Sequence, residues 1–567
     1  PELLSRAVFS LNFPKTMRWG TTNHSFARPV RWLLALYGDQ VIDFELAGLK
    51  TDRITYGIRF LSLDTGIILN NASEYMEKLQ NNNVIPSRSL RKKLIEKQII
   101  NLMKDKSDKV VNDPAILDEV TDLVEYPTAV LAEFPGQYLE LPDKIIISTL
   151  TQHQKYFAVR NDQGQLTNKF VFISNGDVSS AELIRFGNEK VVKARLEDAQ
   201  FYYREDTGRP LEDYINKLEE VTFQEKLGTL KKKTERITQL AEYIISKLEL
   251  TAEVKENTLR AARLCKADLV TLMLGEKEFT KLQGYIGQQY ALRSGENEIV
   301  AQAIYEHYQP RGQLDDLPGS LPGAIVALAD KLDTVCGIIS VDLLPTGSND
   351  PFALRRAANG IVQIIAFHRL DLNLFELIEK ELSLLAGDIA EPLRNREFLI
   401  DFFKQRVNWL LQEEGIDYDV IDSVMHIDCS RINDLLHRAK ALQEFKQHEN
   451  FIKLVIGFKR VSNIITTFNT DQLPDSDRFL HQTEFLLLNE AQVAAVEIEA
   501  KLIEKDYPAV LSRLVAMGHI IDQFFDDVLV NVDDPAIREN RYRLLNRIRI
   551  LFLKVADIAK IVVEGNQ

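Results

Sequence analysis

The chain has few of the residues that cross-link proteins, and it has no long apolar run. Its cysteines, Cys265, Cys336 and Cys429, lie far apart in the sequence, which argues against a disulfide framework or a paired-cysteine zinc motif. No uncharged apolar stretch approaches the ~18 residues that a membrane span needs. We therefore expect a protein of a reducing, cytoplasmic compartment that does not enter a membrane.

The common nucleotide-binding and catalytic motifs are also missing. The sequence contains no G-x-x-x-x-G-K-[ST] or G-x-G-x-x-G phosphate loop, no H-E-x-x-H zinc motif and no G-x-S-x-G nucleophile elbow. Its composition is otherwise that of a globular protein, and 567 residues suggest several domains at ~100–200 residues each. We expect a large protein without a self-contained nucleotide or metal enzyme signature. Because the chain opens at Pro1, we also expect that an N-terminal segment precedes it.

The charge of the chain is distributed in blocks. Lys and Arg number 69 against 83 Asp and Glu, so the net charge is −14. Residues 430–470 nevertheless carry +4 and residues 538–554 carry +5, whereas the stretch between them carries −10. Two basic helices around an acidic spacer are a footprint for a phosphate backbone. The alternative is a pair of amphipathic helices whose charged faces are solvated.

Residues 1–210 have the pattern of a mixed α and β region. Short apolar or alternating runs flank Gly38-Asp39 and residues 162–164, which predicts a β-hairpin at each place. Residues 87–104 have helical spacing, and Ser87 can cap that helix because its side-chain oxygen accepts from free N–H groups of the first turn.

From about residue 211 the pattern changes to long amphipathic helices. Residues 348–351 predict a compact helix start, with Ser348 or Asp350 as the cap and Pro351 at the first helical position, where its missing N–H is not needed.

Several short segments together resemble one protein family, the β subunit of bacterial-type heterotetrameric glycyl-tRNA synthetase. The segments lie in order along nearly the whole chain, which makes the set specific although each alone is weak. They are FPKTMRWG (13–20), FARPVRW (26–32), QHQKYF (152–157), GNE (187–189), ARL (194–196), FQEKLG (223–228), KADL (266–269), EHY (306–308), ADKLD (329–333), PTGS (345–348), DPFALRRA (350–357) and KRVSNI (459–464).

The resemblance implies a division of labour between two chains. In this family the α subunit carries the class II core that activates glycine with ATP and Mg, and the β subunit positions tRNA-Gly in an α2β2 complex. We therefore expect no cofactor in this chain and no catalytic residue of its own. Two alternatives remain open, an HD-type metal-dependent phosphohydrolase acting on nucleotides or RNA, and a non-catalytic helical scaffold.

The resemblance also implies a fold class and an order of domains. It predicts an α+β module, a mainly α-helical HD-like domain, and a C-terminal helical anticodon-binding domain. The boundaries that we expect are 1–210 for the module, which resembles the editing-type module of the phenylalanyl synthetase β chain, 211–385 for the HD-like domain, 386–428 for a helical linker and 429–567 for the anticodon-binding domain.

The HD-like domain is expected to be a remnant without metal. Catalysis in an HD site needs His and Asp ligands around a divalent ion that activates water. Here the His-Asp doublet reads Ala267-Asp268, so one imidazole is missing, although His307 and Asp330 remain. One histidine with scattered carboxylates is a poor transition-metal site. His307 is equally well explained as a structural histidine.

The resemblance implies that the residues of the two basic blocks bind tRNA. Single-stranded anticodon bases are recognised by stacking and by hydrogen bonds to their edges, and arginine can do both. The predicted tRNA-binding residues are Arg431, Arg438, Lys459, Arg460, Asn463, Arg541, Arg543 and Arg547. A second set is predicted to contact RNA or a partner subunit: Arg28, Arg31, Trp32, Arg355 and Arg356. The first three combine cations with an aromatic ring, which suits either kind of partner. Solvated surface arginines remain the alternative for each set.

Overall fold

The computed structural model describes residues 2–20, 24–58, 65–104, 108–152, 154–176, 178–347, 349–448 and 451–562. They form two compact units, Pro1–Gly208 with Leu272–Leu282 and Arg209–Thr271 with Gln283–Gln567. The chain is mixed α and β towards its N-terminus and helical beyond it, as predicted. The identification of each segment with a particular domain type remains a prediction.

The strands of the first unit form small, mostly antiparallel sheets. The largest sheet has the order β10-β12-β13-β11, a second has the order β3-β7-β6 with β3 and β7 parallel, and β1–β2, β4–β5 and β8–β9 form pairs. The strand bounds are β1 (Met17–Arg18), β2 (Ser25–Phe26), β3 (Leu33–Leu34), β4 (Leu36–Tyr37), β5 (Gln40–Val41), β6 (Glu45–Leu46), β7 (Leu49–Asp52), β8 (Ile54–Thr55), β9 (Ile67–Ile68), β10 (Lys109–Val110), β11 (Pro127–Glu133), β12 (Phe157–Arg160) and β13 (Leu166–Asn175).

Both predicted hairpins are present. Strands β4 and β5 pair across Gly38-Asp39, and β12 pairs antiparallel with β13 on either side of residues 162–164. The predicted N-cap is also confirmed, since the Ser87 hydroxyl accepts from the backbone N–H of Leu90 at the start of a long helix. His153, part of a motif quoted above, lies outside the described residues.

Helices pack against the larger sheet of the first unit. Ile95, Ile116 and Val120 from two of these helices form one core with Phe157 and Val171 of the sheet. The helices up to residue 207 are α1 (Glu2–Phe9), α2 (Tyr75–Asn81), α3 (Arg88–Met103), α4 (Pro114–Leu123), α5 (Asp143–Thr151) and α6 (Ala181–Thr207).

The second unit is helical apart from a short hairpin of β14 (Thr222–Gln224) and β15 (Gly228–Thr229). Helix α9 belongs to the first unit, although the chain before and after it belongs to the second, and the other helices belong to the second. The helices up to residue 424 are α7 (Leu230–Lys247), α8 (Ala252–Leu264), α9 (Leu272–Gly275), α10 (Tyr285–Arg293), α11 (Glu298–Glu306), α12 (Leu321–Ser340), α13 (Leu354–Phe367), α14 (Leu374–Leu385), α15 (Arg396–Glu413) and α16 (Tyr418–Val424).

Helix α12 lies at the centre of this bundle and is buried on nearly every side. It packs against α7, α8, α11, α13 and α14, as its continuously apolar sequence requires, because a helix that is apolar all round has no face for solvent. Three charged residues interrupt the apolar sequence, Asp330, Lys331 and Asp333, and all three are buried. Each therefore needs a partner inside the bundle.

The C-terminal region consists of further helices packed on one another. Helix α19 contacts α20, α21 and α22, and α18 contacts α21 and α22. The bounds are α17 (Ile432–Phe445), α18 (Phe451–Ile464), α19 (Gln482–Ile503), α20 (Tyr507–Ala516), α21 (Gly518–Asp527) and α22 (Pro535–Leu553). No helix in the described ranges combines the length and the apolar character that a membrane span needs.

The predicted helix start at residues 348–351 is wrong in its position. Helix α13 begins at Leu354, and Pro351 lies in a turn before it. Asp350 still satisfies the helix, because its carboxylate accepts from the N–H groups of Leu354 and Arg355. Ala353, the residue directly before the helix, takes a left-handed backbone conformation with φ 53°. Ser348 lies outside the described residues.

Candidate nucleic-acid interface

The three residues predicted as an HD remnant do not converge on an open metal site. The ammonium group of Lys266 lies 2.9 Å from Nε2 of His307 and donates to Oδ2 of Asp330 at 2.7 Å. Nδ1 of His307 lies 2.5 Å from the carbonyl oxygen of Ile304, which can only accept, so Nδ1 carries the proton and Nε2 accepts from Lys266. The ring nitrogen that could ligate a metal is therefore bonded to a lysine.

The third residue, Asp268, is held separately. Its Oδ2 accepts from the backbone N–H groups of Gly284 and Gly287, and burial raises the pKa of the carboxyl to about 6. Burial lowers the pKa of His307 well below its ordinary value, and Lys266 lowers it further. Within the described ranges no three His, Cys, Asp or Glu side chains are grouped so that they could hold a metal ion.

The predicted cluster in the first unit is accessible. Arg28 and Arg31 are exposed, and neither side chain has a hydrogen-bond or ion-pair partner among the described residues. The Trp32 ring makes an edge contact with Tyr56 at a centroid separation of 4.8 Å and stays partly exposed. Two exposed cations that are close in sequence to a half-exposed indole can bind either RNA or a protein surface.

Arg355 and Arg356 lie at the start of α13 in the second unit. Arg356 is exposed and donates to the carbonyl oxygen of Arg311 at 3.2 Å. The side chain of Arg355 has no hydrogen-bond partner among the residues that the structure describes. These two arginines therefore remain surface cations, with one of them fixed by a backbone contact.

Three of the predicted tRNA-binding residues are structural in this fold. Arg541 is 1% exposed, and its guanidinium donates to Glu484 at 2.9 Å and to the Leu529 carbonyl at 2.8 Å. Arg438 donates to Asp434 and to the Lys554 carbonyl. Both guanidinium groups are occupied by internal partners, so neither is available to an RNA ligand.

Lys459 donates to the carbonyl oxygen of Ile561, which ties α18 to the segment that follows α22. Its ammonium group is therefore occupied by an internal partner as well. Arg431 and Arg543 are paired with surface acids, at 3.1 Å to Asp371 and at 2.7 Å to Glu539. Surface pairs of this kind are worth ~1 kcal/mol or less, so an RNA phosphate could replace the acid.

Arg460, Asn463 and Arg547 are the predicted residues that keep free polar groups. Arg460 is exposed, and its guanidinium stacks over the Phe525 ring at 4.3 Å from the centroid. Asn463 is exposed one turn further along α18. Arg547 of α22 has no hydrogen-bond or ion-pair partner within the described ranges. The structure places the first two on α18 and the third on α22.

Arg547 lines a cleft between α19, α22 and the loop that follows α18. The cleft has a volume of about 210 Å³. Leu473 and Pro474 of the loop, Ala495 of α19 and Ile550 of α22 supply apolar walls. We call this feature the α19–α22 cleft.

Helix α22 holds the loop that forms one wall of the cleft. Asn540 makes two hydrogen bonds to the backbone of Asp475, and Asn546 donates to the Thr470 carbonyl at 2.9 Å. Arg549 donates to two further loop carbonyls, those of Ile465 and Phe468. The wall is therefore set by side chains of the helix that carries Arg547, which makes the cleft preorganised.

Sequence reasoning found Arg547 but missed two other polar groups of the cleft, Lys554 and Gln492. Lys554 lies seven residues after Arg547, two helical turns along the same face, and this spacing was a usable signal. Gln492 lies in the acidic stretch between the two basic blocks, and a search based on charge does not select residues there. Lys554 is paired with Glu499, which leaves Arg547 as the unpaired cation of the cleft.

The α19–α22 cleft has the chemistry of a site for a planar group with an anion attached. Its volume is below the ~300 Å³ of sites for drug-sized ligands, so it suits one ring system. The apolar walls can cover the faces of a ring, Arg547 can bind a phosphate, and the Gln492 amide can pair with a ring edge. Such a group is an unstacked nucleotide.

Comparison with known families supports an RNA-related role. A family model described as glycyl-tRNA synthetase beta subunit matches residues 1–426. That range includes the α+β region and the helices around α12. It ends before α17, so the cleft lies beyond it.

Curated relatives match over the whole chain. The glycine–tRNA ligase beta subunit of Clostridioides difficile is 40% identical over 564 residues, which are 99% of this chain and 81% of that protein. The beta subunit of Moorella thermoacetica is 41% identical over 566 residues, with the same coverage. The one of Desulforamulus reducens is 38% identical over 570 residues, again with 99% and 81% covered. The similarity therefore includes the C-terminal helices.

Proposed function

Because the chain belongs to the glycyl-tRNA synthetase beta subunit family, we propose that it binds tRNA-Gly and positions it for ATP-dependent glycylation on a partner subunit. The observation that carries the proposal is the α19–α22 cleft, in which an unpaired arginine faces apolar walls of single-base size. Holding the tRNA in the right geometry accelerates transfer without new bond chemistry.

The proposed contacts in the C-terminal region are Arg460, Asn463, Arg547 and Lys554. Arg547 and Lys554 contact phosphates beside an unstacked base, and Arg460 offers the open face of a guanidinium already stacked on Phe525. Lys554, Arg431 and Arg543 contribute more weakly than Arg547, because each must first give up an acidic partner.

The partner that we propose is an α subunit in an α2β2 complex. The relatives are named beta subunits, which supports a second kind of chain. ATP and Mg are bound by that partner in this proposal. Arg28, Arg31 and Trp32 of the first unit serve as a further contact with RNA or with the partner, since two of them are cations without partners among the residues that the structure describes.

The buried groups around α12 support a structural role for the HD-like part. A hydrolase would need His307 and Asp330 as ligands of an ion that activates water. Both side chains are hydrogen-bonded to the Lys266 ammonium. This group carries a positive charge, but unlike a metal ion it cannot coordinate the water that a hydrolase activates. This arrangement disfavours the phosphohydrolase alternative, which predicts divalent metal bound near these residues.

A salt-titrated binding assay tests the proposal. The chain is titrated with tRNA-Gly and with a non-cognate tRNA, with and without the α subunit. Arg547→Ala is expected to weaken binding by about 1–3 kcal/mol, and it should reduce the salt slope by ~0.7 for a lost single-strand phosphate contact.

Arg543→Ala is the matched variant, because it removes an arginine of the same helix that already has a partner. It should change the affinity less than Arg547→Ala does. Salt-independent or absent binding of tRNA-Gly, with α present, would contradict the proposed function. Equal effects of the two variants would remove the cleft from it and leave the function standing.

A further inference from the structure

Helix α19 is apolar on two opposite faces. One face packs into the C-terminal helices through Leu487, Ala491, Ala494 and Ile498, which are buried. The opposite face is also apolar but lies in solvent, with Val496 73% exposed. A surface helix of a globular protein normally has charged or polar residues on this side.

The exposed apolar residues follow a heptad spacing. The seam consists of positions 486, 489, 493, 496, 500 and 503, which are separated alternately by three and four residues: Leu486, Asn489, Val493, Val496, Ala500 and Ile503. All six are exposed, and Ile503 is 79% exposed. At ~1.5 Å per residue the seam is about 26 Å long. This narrow stripe is the pattern by which one helix packs along another, and a lone asparagine within it sets the register.

The two edges of the seam are acidic. The flanking positions on one edge are Glu490, Glu497 and Glu504, and on the other edge they are Gln492 and Glu499. Neither edge contains a lysine or arginine at these positions. Neighbouring cations compensate part of this charge, since Arg513 is shared by Glu490 and Glu497, Lys554 pairs with Glu499, and Lys501 pairs with Glu504.

We propose that the outer face of α19 binds an amphipathic helix of another protein chain. The partner helix has apolar residues at matching heptad positions and lysine or arginine along its edges, which complement the acidic edges of the seam. A second copy of this chain does not fit, because parallel and antiparallel pairing both place acid opposite acid. RNA does not fit either, since the centre of the face is apolar and its edges are acidic.

The docking face adjoins the α19–α22 cleft along one edge, because Gln492 also lines the cleft and Glu499 pairs with Lys554. The α19–α22 cleft uses Leu488 and Ala495 of the same helix, which point to another side of it. The six seam residues themselves are not among those that line the cleft. The inference does not depend on the proposed function.

Two designed peptides test the proposal with the full chain. Both have apolar residues at the seam positions and one asparagine opposite Asn489, and they differ only in having lysine or glutamate at the edge positions. Binding of each labelled peptide is followed by fluorescence anisotropy at low salt. The lysine-edged peptide is expected to bind at least ~10-fold more tightly than the glutamate-edged one, because charges of opposite sign then meet.

Val496→Glu is expected to weaken binding of the lysine-edged peptide at least ~10-fold, because it places a charge in the apolar contact. Ile503→Glu is a second variant with the same expectation. Leu314→Glu is the matched control, since Leu314 is fully exposed elsewhere in the chain, and it should leave binding unchanged.

The proposal is overturned if the lysine-edged peptide fails to bind, if both peptides bind equally, or if the seam variants bind as the wild type does. Sedimentation velocity completes the experiment. Self-association that Val496→Glu abolishes would show that the face joins copies of this chain, which would also overturn the proposal.

Discussion

The ammonium nitrogen of Lys266 lies 2.9 Å from Nε2 of His307, and both side chains are buried. The same ammonium group donates to Asp330, and it lies 4.1 Å from the centroid of the Tyr308 ring. One ammonium group thus donates to a histidine nitrogen and to a carboxylate, and it lies against an aromatic face. It does so one residue before Ala267-Asp268, where the HD resemblance expects a His-Asp doublet.

Removal of this ammonium is expected to destabilise the fold. Lys266→Met leaves the buried Asp330 with fewer compensating charges, and loss of one partner of a buried pair costs about 3–5 kcal/mol. The free energy of unfolding from urea titrations, followed by circular dichroism, measures the effect. Lys231→Met is the control, because its pair with Glu219 is at the surface and should be worth less than ~1 kcal/mol. Equal losses would refute the special role of Lys266.

Asp268 should make the stability fall as the pH rises. Burial raises the pKa of its carboxyl from 3.8 to about 6, so between these values the folded chain binds more protons than the unfolded chain does. The contribution of this group to the free energy of unfolding is therefore fully present below pH 3.8. It is lost as the pH rises to about 6. For a shift of this size the loss is about 3 kcal/mol.

Asp268→Asn does not titrate and keeps an acceptor for Gly284 and Gly287. The difference in free energy of unfolding between wild type and variant, measured from pH 4 to pH 7, isolates the Asp268 contribution. A difference that does not change with pH would contradict the expectation.

Arg541 is expected to affect stability instead of RNA contact. Arg541→Met leaves the fully buried Glu484 carboxylate without its cation, at a cost of about 3–5 kcal/mol. The double variant Arg541→Met with Glu484→Gln should recover part of this loss, because no uncompensated charge remains. Urea unfolding of the three proteins measures it, and tRNA affinity of the folded Arg541→Met protein should equal that of the wild type.

Arg460 should contribute to tRNA affinity through the plane of its guanidinium. Arg460→Ala is expected to weaken binding by about 1–3 kcal/mol if the group contacts a base. Arg460→Lys keeps the charge but loses the plane that stacks on Phe525, so it should recover little of the affinity. Full recovery would indicate a phosphate contact, and unchanged affinity in both variants would remove Arg460 from the proposed set.

Local features of the fold were predictable because their causes are local. Each hairpin follows from turn residues between apolar runs, and the cap at Ser87 needs only the N–H groups of the next turn. The start of α13 was predicted at the wrong residue because hydrogen bonds from nearby residues determine where the helix begins. Asp350 bonds to N–H groups four and five residues later, which moves the helix start past Pro351.

The predicted tRNA-binding residues include two whose different roles could not be distinguished from the sequence. Arg541 and Arg547 lie on one helix six residues apart, and their sequence surroundings are equally basic. One is buried against Glu484, and the other lines the cleft without a partner. The heptad seam on α19 was readable from spacing alone, but only the structure shows that this face is in solvent.

The sequence alone determined the family, the helical character of the chain beyond the first 210 residues and the positions of the basic blocks, because these depend on order, spacing and composition. The tertiary structure decided which charges are free. Burial and pairing depend on residues far apart in the chain, such as Lys266 with His307 and Arg541 with Glu484. A buried charge needs a partner of opposite charge close to it in space, and the local sequence pattern does not show which residue that partner is.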